Sequence, residues 1–300
     1  MNRIGRGKRT PQLSLHIMLL PAVILLLIFN YYPMTGLAMA FENYNPTKGW
    51  FSSPWVGLKY FKYVFSMPNF GQVMWNTITI ALAKTALGLV VPITFALLLN
   101  EVRHTYFKRT IQTILYLPNF LSWVILGGII FDIFSTNGIF NSIFGSVFGQ
   151  TKFLSDPKAF PGLLVGTDVW KNFGFSTIIY LAALTNVRPD LYEAAAMDGA
   201  GRWRQTLHIT LPGITPVITL MALLALGNVL NAGFEQVLVL LTAPVYSTGD
   251  IIDTVVYRIG VVQGNYSVST AIGLFRSGIS TVLVALSYYL AAKFANYRIF

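Results

Sequence analysis

Six stretches of this chain, near residues 13–38, 71–100, 111–134, 160–185, 212–240 and 270–292, stay apolar. Each reaches about the 20 residues that a helix needs to cross the hydrocarbon core of a bilayer. In that medium every backbone N–H and C=O must be satisfied by the protein itself, so each stretch is committed to helix. The runs are continuous rather than alternating, which argues against a membrane β-barrel. With 54% hydrophobic and 11% charged residues, too little polar material remains to cover a soluble globule of 300 residues. The expected fold is therefore an all-α membrane protein with six transmembrane helices. No fixed-period repeat and no long linker divides residues 1–300 into separate domains. Pro92, Pro118 and Pro216 fall inside spans and are expected to kink them.

Lysine and arginine placement sets the orientation. Arg3, Arg6, Lys8 and Arg9 precede the first span, Arg103, Lys108 and Arg109 follow the second, Arg188, Arg202 and Arg204 follow the fourth, and Lys293 and Arg298 close the chain. The remaining basic residues are spread over longer connections that also hold Glu42, Asp156, Asp250 and Asp253. Both termini and the connection 186–212 are thus expected in the cytoplasm. A basic leader followed by an apolar run and Ala38-Met39-Ala40 also admits a cleavable signal. The run exceeds the usual ~7–15-residue signal core and holds Pro21 and Pro33, which favours a retained first span. Of the outer connections, Gly57 to Phe65 reads as a short interfacial helix with aromatic anchors. Asp250 to Gly260 shows helical spacing and is expected to lie along the outer surface.

The net charge of +10 is accounted for by these membrane flanks, with no aromatic-studded basic groove for nucleic acid. Zero cysteines exclude disulfides, thiolate metal sites and a catalytic Cys. His16, His104 and His208 are scattered, so no metal site is expected. No catalytic residue is expected either. Gly5-Arg6-Gly7-Lys8-Arg9-Thr10 fails as a nucleotide loop, because Asn2 replaces the first Gly and Arg9 follows the Lys.

One polar passage, Glu193 to Pro212, interrupts the apolar chain. It opens Glu193-Ala194-Ala195-Ala196-Met197-Asp198-Gly199 and closes Ile209-Thr210-Leu211-Pro212. Helix formers from Leu191 to Met197 give way to Asp198-Gly199, which limits the helix to about two turns. So short a helix needs a partner surface, and Ala194, Ala195, Gly199 and Ala200 allow another backbone to come close. A passive interfacial helix anchored by Trp203 with Arg202 and Arg204 is the other reading. The passage closely resembles the cytoplasmic coupling loop of binding-protein-dependent ABC importer permeases. Tyr31-Tyr32-Pro33, Gly57-Leu58-Lys59-Tyr60-Phe61 and Asp198-Gly199-Ala200-Gly201-Arg202-Trp203 resemble the carbohydrate-uptake branch.

That resemblance implies the type I importer permease architecture, with Glu193, Ala194, Ala195, Asp198 and Gly199 as ATPase-coupling residues. It implies a bacterial inner-membrane location and a cargo of oligosaccharides or polysaccharide fragments. Implied partners are a second related permease, two ATPase subunits that carry ATP and Mg, and an extracytoplasmic sugar-binding protein. This chain would bind no cofactor itself. One departure is Thr206, where many relatives carry a bulky aromatic, and it touches the docking details alone.

Ionisable and amide side chains inside spans are the substrate-path candidates, because they are costly in hydrocarbon and usually face a cavity. They are Lys84, Asn119, Trp123, Trp170, Lys171, Asn228, Asn231, Glu235 and Arg276. Asn228, Asn231 and Glu235 are expected on one face of the fifth helix, and Asn119 and Trp123 on one face of the third. Amides and aromatic rings suit a sugar, whereas Lys84, Lys171 and Arg276 suit an acidic one. Structural bridging between helices is the competing role for each of them. An ion-coupled secondary transporter of a small polar solute is the alternative function, though it gives no reason for the Glu193 to Pro212 passage.

Overall fold

The computed structural model describes residues 13–49, 52–149 and 152–294. Arg3, Arg6, Lys8, Arg9, Arg298, Trp50 and the passage 5–10 lie outside the described residues. Among the described residues the backbone is helical, apart from loops and one bridge pairing Glu42 with Trp55. Five stretches are long and apolar enough to cross a membrane: Leu15–Phe41, Phe70–Glu101, Trp123–Gly145, Arg202–Gly227 and Tyr266–Leu286.

The first span begins as α1 (Leu13–Leu26) and continues through a π-helical turn and a 3-10 segment ending at Phe41. Its most apolar window buries nothing within this chain, so its side chains are left for lipid or another subunit. The amphipathic α2 (Lys59–Ser66) turns Val64 inward and leads into α3 (Phe70–Glu101), which passes through Pro92 without interruption. The third expected span starts earlier than residue 111 and is broken. Helix α4 (Thr105–Tyr116) yields at Pro118 to a 3-10 turn, and α5 (Trp123–Phe134) restarts with the Ser122 hydroxyl accepting the Ile125 N–H at 3.3 Å. A short α6 (Ile139–Phe148) follows.

The central element is α7 (Phe160–Leu184), which has buried residues from end to end and packs most extensively against α3. Asp168, Lys171 and Asn172 interrupt its apolarity, and the neighbouring helices cover them. Next come the short α8 (Pro189–Met197) and α9 (Leu211–Gly227), the latter continuous through Pro216. Here the structure corrects the expected 212–240 helix. The chain leaves helical geometry after Gly227 and re-enters at α10 (Phe234–Leu240), with Gly233 at φ +86°.

A second correction concerns α11 (Ile252–Tyr257), which is no surface helix. Ile252 and Val255 are buried against α3 and the final helix, α12 (Tyr266–Phe294). The cause is polar as well as apolar. Thr77 on α3 accepts the Ile252 N–H at 2.9 Å, and Asn76 donates to the Ser247 and Asp250 carbonyls. These bonds satisfy loop backbone that hydrocarbon would leave orphaned.

Three apolar clusters succeed one another along α3. Val73 packs with Ile252 and Ile272, Ile80 with Leu126, Phe160 and Leu240, and Ala96 with Tyr180 and Ile214. Close approach depends on glycine where α4 meets α7: a Cβ on Gly174 would sit 2.0 Å from the Leu115 carbonyl oxygen. Gly174→Ala is therefore expected to push α4 off α7 and cost about 1–3 kcal/mol. Gly88→Ala, on a helix position with open space around it, should leave stability unchanged or slightly raised. Apparent Tm values of the two variants in detergent check the contrast.

Candidate functional site

Two places concentrate the expected site residues, and the first is the polar passage. Pro189 opens α8, and Asp190 lies in the first turn, where it complements the helix dipole and pairs with Arg188. The helix ends where the Ala200 N–H donates to the Ala195 carbonyl at 2.8 Å and the Gly199 N–H to the Ala196 carbonyl at 3.1 Å. This Schellman closure needs a left-handed residue, and Gly199 supplies it at φ +73°.

The loop is then tied back to the bundle. Gln205 Nε2 donates to the Ala200 carbonyl at 2.9 Å, the Tyr192 and Thr210 hydroxyls share a hydrogen bond at 2.9 Å, and Arg202 pairs with Glu101 at the end of α3. Thr206 helps line a hollow of about 600 Å³ beside Tyr192 and Glu193. Glu193, Ala194, Asp198 and Gly199 are exposed and Ala195 half-buried, while Met197 and Trp203 are 89% and 73% exposed. The short helix thus leaves small residues on its surface and large apolar ones beside them uncovered by this chain.

The second place is the bundle interior, where the expected substrate-path residues separate into distinct groups. Lys84 is buried: its Nζ donates to the Ala232 carbonyl at 2.7 Å and to Gln236 Oε1, and lies 3.5 Å from Asp168 Oδ1. Gln236 in turn donates to the Leu164 carbonyl at 2.8 Å and to the Thr167 hydroxyl at 2.7 Å. Lys84 is a strut that holds the unwound stretch 228–233 against α3 and α7. A Cβ on Gly233 would lie 2.7 Å from Lys84 Nζ, so glycine is required there on two counts.

Lys171 does the same for the break in the third span. Its Nζ donates to the Asn119 and Leu121 carbonyls at 3.0 and 2.6 Å and sits 5.6 Å from the Trp123 ring centroid. Asn119 and Trp123 thus meet through Lys171, not on one helical face. Asn119 also donates to Asn172 at 3.1 Å. Trp170 lies elsewhere, in an apolar groove with Ile129, Ile133 and Gly166.

The unwinding likewise separates Asn228 and Asn231 from Glu235. Asn231 accepts the Gly233 N–H at 3.2 Å, while Glu235 is exposed in the first turn of α10 and its neighbour Gln236 points inward. Asn228, Asn231 and Arg276 do converge, on a polar cleft between the unwound stretch and α12. Arg276 Nη2 donates to the Leu230 carbonyl at 3.1 Å, and Nη1 pairs with Asp253 at 2.6 Å. Burial pushes the Asp253 carboxyl above its ordinary pKa, and the Arg276 guanidinium pulls it part of the way back. Sequence reasoning missed Gln236, Gly233 and Asp253. Only the Asn231-Ala232-Gly233 turn signal inside an apolar run could have pointed to them.

Lys84→Met should leave the Ala232 carbonyl and Gln236 buried without their donor, at about 3–5 kcal/mol of stability. Asn231→Ala, in an exposed cleft, should cost no more than about 1 kcal/mol. Thermal unfolding of the purified chain distinguishes a strut from a cleft residue by that difference.

The family model described as "Binding-protein-dependent transport system inner membrane component" matches residues 88–296. Protein LplB of Bacillus subtilis is 43% identical over 288 residues, covering 95% of this chain and 91% of that protein. The polygalacturonan/rhamnogalacturonan transport system permease protein YteP of the same organism is 43% identical over 295 residues, covering 98% and 92%. Among solved structures, a bacterial ABC transporter involved in import of the acidic polysaccharide alginate aligns with a TM-score of 0.87 at 35% identity, covering 94% of this chain and 96% of that one. The alginate transporter in complex with its alginate pentasaccharide-bound periplasmic protein gives 0.86 at 35% identity, covering 94% and 95%. The chain belongs to the binding-protein-dependent transport system inner membrane components, the multi-pass permease subunits of ABC importers.

Proposed function

We propose that this chain forms half of the translocation path of an importer for oligosaccharides or polysaccharide fragments. Its six spans leave both termini in the cytoplasm. A second related permease completes the path, two ATPase subunits bind ATP and Mg, and an extracytoplasmic binding protein delivers the saccharide. A polygalacturonan/rhamnogalacturonan permease at 43% identity over nearly the whole chain supports the cargo class. The exposed helix α8 carries the coupling assignment. Tied by Tyr192 within it to Thr210 before α9, and through Arg202 beyond it to Glu101 on α3, it passes a push from an ATPase into α3 and α9 rather than absorbing it.

ATP binding closes the ATPases and draws the two coupling helices together, which turns the permease pair outward-facing. The binding protein then releases its sugar into the cleft, and hydrolysis restores the inward-facing form. This chain makes and breaks no covalent bond. The ion-coupled alternative finds no support among these relatives and leaves α8 without a task.

The test is reconstitution of this chain with its partner permease, ATPases and binding protein in liposomes. Saccharide-loaded binding protein should stimulate ATP hydrolysis. Gly199→Val forces a β-branched residue into the left-handed position, and should abolish stimulation at least tenfold while the subunits still co-purify. Equal activity in the variant would end the coupling assignment. Transport that an uncoupler stops, and that survives loss of the ATPases, would revive the ion-driven reading.

A further inference from the structure

Three basic side chains lie within or beside the spans' polar groups, and the structure leaves one of them able to meet a ligand. The Nζ groups of Lys84 and Lys171 are consumed by backbone carbonyls, and each residue is no more than 8% exposed. Arg276 differs. Its side chain is 28% exposed, and it lines two adjoining clefts of about 470 and 350 Å³ that meet at Arg276 and Asn231. Volumes of that order accommodate a ligand unit. The larger cleft is bounded by α11, with the aromatic rings of Phe234 and Tyr257 5.6 Å apart on its wall. The smaller carries the neutral polar side chains Asn228, Ser277, Ser280 and Thr281. The guanidinium therefore stands at the passage between them.

What holds it there is exchangeable. One Nη donates to the Leu230 carbonyl, and the other pairs with the Asp253 carboxylate. The pair is partly open to the cleft, with the two side chains 28% and 16% exposed. A guanidinium is built to take a carboxylate through parallel N–H donors, so a carboxylate arriving through the cleft offers Arg276 the contact that Asp253 already makes.

We propose that Arg276 recognises the carboxylate of an acidic saccharide, a uronate unit, and that Asp253 occupies the same guanidinium face until that unit arrives. The exchange keeps Arg276 paired as the cargo moves past and leaves the Asp253 carboxylate, which lines the same cleft, to the water there. This inference rests on the importer reading above and adds the charge of the cargo. The alginate-importing structural relative has an acidic polysaccharide as its cargo, which agrees with the choice.

The experiment measures equilibrium binding of a trigalacturonate and of its carboxyl-reduced, neutral trisaccharide to the assembled transporter in nanodiscs, without binding protein. Native transporter should prefer the trigalacturonate. Arg276→Gln should weaken trigalacturonate binding by about tenfold or more, the scale of one charge-assisted hydrogen bond. Binding of the neutral trisaccharide should change less than twofold. Asp253→Asn removes the competitor and should tighten trigalacturonate binding alone. Equal weakening of both saccharides by Arg276→Gln would make Arg276 a strut, and overturn the proposal. Should Arg276→Gln not assemble, Asp253→Asn decides: unchanged or weaker trigalacturonate binding overturns it. If the native transporter prefers the neutral trisaccharide, the charge assignment falls and the oligosaccharide reading stands. If it binds neither, both fall.

Discussion

The fold turns on one ammonium group. The apolar stretch expected as one helix over 212–240 unwinds between Gly227 and Phe234, and an open backbone inside a membrane bundle must find partners within the protein. Lys84 provides them by reaching from α3 to the Ala232 carbonyl and to Gln236. Gln236 then passes the connection on to α7 through Leu164 and Thr167. The helices α3, α7 and α10 are joined by a chain of hydrogen bonds with Asp168 nearby as counter-charge. Such a network is costly to leave half-satisfied, so it fixes one arrangement of the unwound stretch.

That arrangement creates the cleft. With the backbone of 228–233 held back against Lys84, Asn228 and Asn231 are exposed on the opposite side and Arg276 reaches across from α12 to the Leu230 carbonyl. The same device recurs at Pro118, where Lys171 takes the carbonyls of the broken third span. In both places a buried lysine satisfies irregular backbone, and the irregularity then positions amide and aromatic side chains. The polar loop follows a different logic. Its helix is closed by backbone bonds and tied through Tyr192 to Thr210, while most of its surface stays exposed.

The candidate site was only partly legible in the residues. The short helix of the polar passage could be read because its determinants are local: Pro189 starts it, a run of alanines continues it, and Gly199 closes it. The interior was harder. Asn228, Asn231 and Glu235 share a face only if the helix continues, and Gly233 at φ +86° breaks that premise. The break shifts the phase of all that follows, so Gln236 turns inward in place of Glu235. Lys84 and Lys171 admitted both a substrate-path and a bridging role, because a sequence shows the cost of a buried charge without showing which groups offset it. The segment 250–260 looked like a surface helix for a related reason, since Thr77 and Asn76, its distant partners on α3, are invisible from its own periodicity.

By itself the sequence determined that the chain is a helical membrane protein with a short helix in a polar passage between apolar ones. Apolar length, helix propensity and turn chemistry are properties of neighbouring residues, and a bilayer leaves them few ways to be satisfied. Only the tertiary structure decided which polar side chains brace the bundle and which face a cleft. That division depends on where broken backbone presents its carbonyls, and on which lysine or arginine from another span lies close enough to claim them.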